Sequence, residues 1–221
     1  MNCSLNCSRQ RGYITATQIA RRREEHTMVQ ERRDEKTGAI IVEGSDQGDF
    51  FRVHNHDGDG DGKADGLTVT AIGADGEVES SRNYSEAEAR RLQIHGGGGD
   101  DQIEVGRDVQ IGIEIYGGDG DDRIGGGGGN DRIIGGDGND RLYGNDGDDT
   151  IGGNTGNDEI YAGRGNDLTT GGEGNDAIYG GAGDDEIYGQ AGRDTLDGEG
   201  GEDYVYGQEG QDVVKGEYAH Q

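Results

Sequence analysis

Aspartate recurs every nine residues through the C-terminal half of this chain, at Asp122, Asp131, Asp140, Asp149, Asp158, Asp167, Asp176, Asp185, Asp194, Asp203 and Asp212. Asp101 holds the same place in an isolated copy at residues 96–104. A second concentration is Asp57-Gly58-Asp59-Gly60-Asp61-Gly62-Lys63-Ala64-Asp65. Carboxylates brought close together repel one another unless a cation lies among them. Hard oxygen donors without Cys or His select calcium over zinc or copper, and a large flexible shell favours calcium over magnesium. Other chemistries lack their residues. There is no H-E-x-x-H zinc helix and no G-x-S-x-G nucleophile turn. Cys3 and Cys7, the only cysteines, are spaced C-x3-C with no second pair, which suits a disulfide or incidental thiols better than metal.

The elements that must position these aspartates are nine-residue rows, G-G-x-G-x-D-x-U-x with U apolar, running from Gly117 to Lys215. Rows begin at Gly117, Gly126, Gly135, Gly144, Gly153, Ala162, Gly171, Gly180, Gly189, Gly198 and Gly207, with Gly always fourth and Asp always sixth. The glycines allow a tight turn over the first six residues. The last three predict a short strand whose middle residue, at position eight, points inward. That position reads Ile124, Ile133, Leu142, Ile151, Ile160, Thr169, Ile178, Ile187, Leu196, Val205 and Val214, mostly β-branched aliphatics suited to a thin core. Such a core is too narrow to offset the entropy of ordering the array, so bound cations are expected to decide folding.

These rows resemble the repeat-in-toxin family, the hemolysin-type calcium-binding nonapeptides. The resemblance implies an all-β, right-handed parallel β-roll with two rows per turn, so that rows eighteen residues apart stack. It further implies multiple calcium ions between turns, held by the position-six carboxylates and loop carbonyls. By the same resemblance the protein is secreted to the cell surface or medium, leaving unfolded through type I secretion machinery and folding in the calcium outside.

Composition bounds the rest. The 221 residues include 48 Gly, no Pro, no Trp and 28% hydrophobic residues, which excludes an ordinary globular core. A net charge of −27 argues against nucleic acid or an anionic membrane as partner, and no apolar run is long enough to span a bilayer.

Four segments are expected. Residues 1–38 carry eight Lys or Arg against five acidic residues. From Thr17 to Lys36 they predict a solvated charged helix or a flexible arm, and they lack the apolar core of a cleaved secretory signal. Residues 39–95 read as a β prefix with strands near Ile40–Val42, Phe50–Val53 and Leu67–Ile72. Within it, residues 44–52 form a degenerate row with Asp49 sixth and Phe51 eighth, expected to plug the end of the core. The Asp57–Asp65 loop resembles the calcium loops of EF-hands and integrin-type propellers, with ligands Asp57, Asp59, Asp61 and Asp65. Its twelfth position is Thr68 rather than Glu, which favours a calcium turn between strands, or a plain acidic hairpin turn, over an EF-hand. His54 and His56 are a lone His-x-His pair beside a solvated acidic loop, so zinc is disfavoured. Ser85 and Glu88 form a capping box for one or two helical turns. Residues 96–215 are the roll, and residues 216–221 are a tail short enough to suggest a fragment or a short family member. The spacer Val105–Tyr116, alternating through Val109, Ile111, Ile113 and Ile115, predicts a half-buried strand that continues the roll without metal.

Departures inside the array point to local weakness. Ala162, Arg164 and Thr169 make row 162–170 the weakest internal turn, and Gln190, Glu199, Gln208, Arg193, Glu202 and Gln211 are expected to weaken calcium binding in the late loops. Tyr143, Tyr161 and Tyr179, and separately Tyr188 and Tyr206, recur at eighteen residues and should stack as outward ladders. The sequence therefore reads as a non-enzymatic, calcium-folded module. Its alternatives are an adhesion or carbohydrate-binding module with a cell-surface or glycan partner on the tyrosines, and a detached accessory domain of a secreted hydrolase.

Overall fold

The computed structural model describes residues 30–73, 76–216 and 218–220. The charged segment before Gln30, and with it most of the expected helix or arm, lies outside the described residues. From Gln30 onward the expectation is corrected. Residues Gln30–Arg33 are strand β1, antiparallel to β2 (Ile40–Glu43). Its charges find partners on β2 and farther along the prefix: Arg32 with Glu43 at 2.9 Å, Arg33 with Glu88 at 3.0 Å, and Glu31 with Arg82. Covering the edge of β2 with a charged strand blunts an otherwise open template for pairing, a gain that a solvated helix would not provide.

The prefix continues through β3 (Phe50–His56), β4 (Gly66–Ile72), β5 (Val78–Ser85), a single helical turn α1 (Glu86–Ala89), β6 (Leu92–Gly98) and β7 (Gln102–Val105). Strands β3, β4 and β5 are antiparallel neighbours, while β3 pairs in parallel with β7, and β2 in parallel with β6. The Glu88 carboxylate accepts the Ser85 N–H and hydroxyl at the start of α1. Strand β5 is almost wholly polar and exposed, which is why no apolar pattern announces it.

The repeats supply β8 (Glu114–Asp119), β9 (Arg123–Gly127), β10 (Arg132–Asp137), β11 (Arg141–Asp146), β12 (Thr150–Thr155) and β13 (Glu159–Arg164). They continue with β14 (Leu168–Glu173), β15 (Ala177–Ala182), β16 (Glu186–Gly192), β17 (Thr195–Gly200), β18 (Tyr204–Gly210), β19 (Val213–Lys215) and β20 (Tyr218–His220). Even strands from β6 and odd strands from β7 fall into two ten-stranded sheets, the wall pattern of a β-solenoid of about 7 turns. Within the array, stacked partners are two rows apart, as in Ile133 against Ile151 and Leu142 against Ile160.

One apolar column runs the length of the molecule. Every position-eight residue from Ile124 to Val205 is buried, and Phe51 stacks on Ile103 at its start. The column does not stop at Phe51, because Leu67, Val69, Tyr84 and Ala89 lie in the same core and close that end. The spacer expectation is also corrected. Residues 106–113 form a turn, with Val109 N–H donating to the Gly106 carbonyl, and strand resumes only at Glu114. Val109 and Ile113 are still buried, so the alternation reports burial rather than extended pairing. Three surplus residues there stretch this coil to 21 residues, matching Ile103 to Ile124.

Candidate metal centre

Each row turns its position-six aspartate into the corner between the sheets, where Asp101 and Asp122 through Asp212 are all buried. One carboxylate oxygen is used by the backbone of the preceding coil. The Asp122 N–H donates to Asp140 Oδ1 at 2.8 Å, Asp140 N–H to Asp158 Oδ1 at 2.8 Å, and Asp158 N–H to Asp176 Oδ1 at 2.9 Å. The other corner carries the same ladder, from Asp131 to Asp149 at 2.8 Å and Asp149 to Asp167 at 2.7 Å. It begins at Ile113, which stands where an aspartate would and donates its N–H to Asp131 Oδ1. Asp203 and Asp212 accept the last two such bonds, from Asp185 and Asp194.

The second oxygen has no partner. Oδ2 of Asp101, Asp122, Asp131, Asp140, Asp149, Asp158, Asp167, Asp176, Asp185 and Asp194 is buried without a hydrogen bond. Leaving one such atom unsatisfied is costly, and ten in two columns call for a ligand. Burial pushes the carboxyls up, to about 8 for Asp101 and Asp131, about 7 for Asp140 and Asp149, and about 6 for Asp122, Asp158, Asp167, Asp176 and Asp185. Asp194 is raised for the same reason.

The glycine at position one leaves room at this corner. A Cβ on Gly117 would stand 2.1 Å from Asp122 Oδ2 and 2.6 Å from the carbonyl oxygen of Gly135 in the next coil. A carboxylate oxygen and a backbone carbonyl thus converge on one small space, and the arrangement recurs at Gly135, Gly171 and Gly180. Anionic and neutral oxygens, close together and free of nitrogen or sulfur, are the donor set of a hard divalent cation. The residues present therefore fit calcium.

A second ladder escaped the sequence reading. Position-five side chains reach the opposite way along the stack: Asn139 N–H donates to Asp121 Oδ1 at 2.7 Å, Asn157 to Asn139 at 2.9 Å and Asn175 to Asn157 at 2.8 Å. On the other side Asp148, Asn166 and Asp184 take the same part. The recurrence of Asp or Asn beside the invariant aspartate was the available signal.

The family comparison agrees with this geometry. A model of the RTX calcium-binding nonapeptide repeat matches residues 93–108, 116–151, 125–159, 143–178 and 179–214, more than half the chain. This chain belongs to the RTX calcium-binding repeat family. No curated protein and no solved structure matches it. As an RTX repeat protein it binds multiple calcium ions, and its β-roll is a calcium-binding structural module rather than a known enzyme family.

The RTX roll also keeps the Asp57–Asp65 loop apart from the ladder, on the exposed connection between β3 and β4. Ligand atoms of Asp57, Asp59 and Asp61 lie within 4.8 Å of one another. Asp65 is not in that group; its Oδ2 accepts the Gly58 N–H at 2.9 Å, and Asp57, Asp59 and Asp61 likewise accept backbone N–H groups of the loop. His56 Nε2 instead meets the Asn83 side-chain amide at 3.1 Å. Asp49 is buried like the ladder aspartates, but its Oδ2 accepts the N–H and hydroxyl of Ser45, at 2.7 and 2.9 Å. The serine satisfies this first carboxylate internally, unlike the ten from Asp101 to Asp194.

Proposed function

We propose that this chain is a calcium-triggered folding module of a secreted or surface protein, with no catalytic chemistry of its own. The observation that carries the reading is the double column of buried, unpartnered Oδ2 atoms. In this reading Asp101, Asp122, Asp131, Asp140, Asp149, Asp158, Asp167, Asp176, Asp185, Asp194, Asp203 and Asp212 are the calcium ligands, joined by position-one carbonyls of stacked coils. Asp57, Asp59 and Asp61, with Asp65 beside them, form a separate exposed calcium loop. Each ion bound only by folded coils adds about 1.4 kcal/mol at tenfold saturation. Several together convert a chain that stays open at low cytosolic calcium into a roll at the higher calcium outside the cell, which suits export through a type I channel.

The tyrosine ladders support a structural role over a glycan-binding one. Tyr143, Tyr161 and Tyr179 stack with centroids 5.3 and 5.0 Å apart, and Tyr188 and Tyr206 at 5.1 Å, so ring faces cover one another rather than a sugar. The testing experiment is a far-UV circular dichroism titration with calcium, using magnesium as control. A cooperative coil-to-strand transition at roughly 0.1–1 mM calcium, absent with magnesium, is expected. Full strand signal in chelator at neutral pH would refute the proposal.

A further inference from the structure

The outer face of the even-numbered sheet is poor in charge. From β8 to β18 its outward positions seven and nine carry only three charged residues, Glu114, Arg132 and Glu186. Large side chains on the same face are apolar or aromatic: Tyr116, Ile134, Leu168, Tyr188, Tyr204 and Tyr206. Leu168 and Tyr204 are exposed, at 38% and 48%. A sheet face of this kind on a chain of net charge −27 is suited to being covered.

Its three charges are not matched with one another. Glu114 accepts hydrogen bonds from Gln93 and Tyr116, at 2.5 and 3.3 Å, and Glu186 accepts one from the Tyr188 hydroxyl. Arg132 is exposed and has no ion pair among the described residues. It shares position seven with Glu186, but β12 and β14 stand between β10 and β16. At the usual strand spacing that separates them by roughly 14 Å, with Thr150 and Leu168 in the way. A free cation and an anion without a cation thus lie on one wall, held apart by the ladder.

We infer that two copies of the roll pair through this wall, about a twofold axis parallel to the strands and lying between β12 and β14. Such an axis reverses the stacking order and keeps the strand direction, so β10 of one copy faces β16 of the other, position seven against position seven. Arg132 then meets the partner's Glu186 while Glu186 meets the partner's Arg132, both contacts forming at once. In the same arrangement Ile134 faces the partner's Tyr188, Tyr116 the partner's Tyr206, and Leu168 the partner's short Thr150. An axis perpendicular to the strands sets β10 against β10 and matches neither charge. Six strands at about 4.8 Å spacing and about 20 Å long give roughly 500 Å² of wall per copy, near the lower limit for a specific pair. The acidic position-three residues, such as Asp119, Asp137 and Glu173, stand at the rim beside the corner, so association is expected of the calcium-loaded roll, where bound ions offset them. The charge pairing itself depends on no particular calcium ligand.

The test is sedimentation velocity of the calcium-loaded full chain, in reductant so that Cys3 and Cys7 cannot link copies. A reversible dimer with a dissociation constant of roughly 10–100 μM is expected. Arg132→Glu and Glu186→Arg should each weaken it about tenfold or more, because each puts like charges at both symmetric contacts, and the double variant should return it to within about threefold of the parent. Arg141→Ala, on the opposite wall, should leave it unchanged. Circular dichroism read on the same samples separates loss of pairing in a folded roll from failure of calcium-triggered folding. A folded chain that stays monomeric at about 300 μM, a dimer indifferent to both single swaps, or a double variant as weak as the singles would each overturn the inference.

Discussion

Removing calcium should not abolish the roll at every pH, because protons can replace the ion. The perturbation is chelation followed by acidification from about pH 8 to about pH 5. Nine ladder carboxyls are raised from 3.8 to between about 6 and 8, chiefly by burial. Their folded pKa values lie above the unfolded ones, so the folded chain binds more protons. The stability this confers is fully present below the unfolded value and is lost as pH rises through 6 to 8. Over this window a group near 6 contributes on the order of 1 kcal/mol, and a group near 7 or 8 on the order of 3. Halved for coupling between stacked neighbours, the nine together still amount to roughly 10 kcal/mol, comparable to the whole stability of a typical domain. Far-UV circular dichroism and hydrogen exchange in chelator should therefore show strand and protected amides near pH 5 that disappear near pH 8. Strand content in chelator that is constant, or that rises with pH, would refute the reasoning.

Three substitutions probe separate parts of the same picture. Asp158→Asn keeps an acceptor for the Asp140 N–H but removes a buried charge, so the metal-free form should gain about 1 kcal/mol near pH 8 while calcium affinity falls; urea melts with and without calcium read the two signs. Thr169 is buried between Ile151 and Ile187 with an unpartnered hydroxyl, so Thr169→Val should raise stability of the calcium form by about 1–2 kcal/mol in urea melts. Gly138 has φ +135° and a Cβ there would lie 2.1 Å from the Gly120 carbonyl oxygen, so Gly138→Ala should raise the calcium midpoint severalfold in the dichroism titration.

What the sequence made legible was whatever repeats. The aliphatic at position eight and the aspartate at position six each have one environment, copied from coil to coil, so the period made the inward face legible, while the eighteen-residue stacking came with the family resemblance. Elements held by a single set of contacts left weaker traces. Strand β1 exists because Glu31, Arg32 and Arg33 meet partners far along the chain, and β5 because it is hydrogen-bonded to β4, neither of which is a local property. At 106–113 the alternation of Val109, Ile111 and Ile113 suits strand and buried turn equally well. The site divides along the same line. The recurrent carboxylates were legible, whereas the opposed reach of positions five and six depends on which neighbouring coil each side chain meets.

The register of this roll also sets a ruler for how its length can change. Removing or adding eighteen residues returns every later side chain to an equivalent neighbour, so the apolar column, both carboxylate columns and the Tyr143–Tyr161–Tyr179 stack all survive. A change of nine preserves the apolar and carboxylate columns but sends every later row to the opposite wall, parting Tyr161 from Tyr179. Other lengths are tolerated only where the surplus leaves through a corner, and the chain shows this twice: stacked coils lie 52 residues apart around the β4–β5–α1 excursion and 21 apart around the turn at 106–113. Corners are thus the places where foreign segments can be spliced into this molecule, and the two walls are places where even one added residue would put all that follows out of phase.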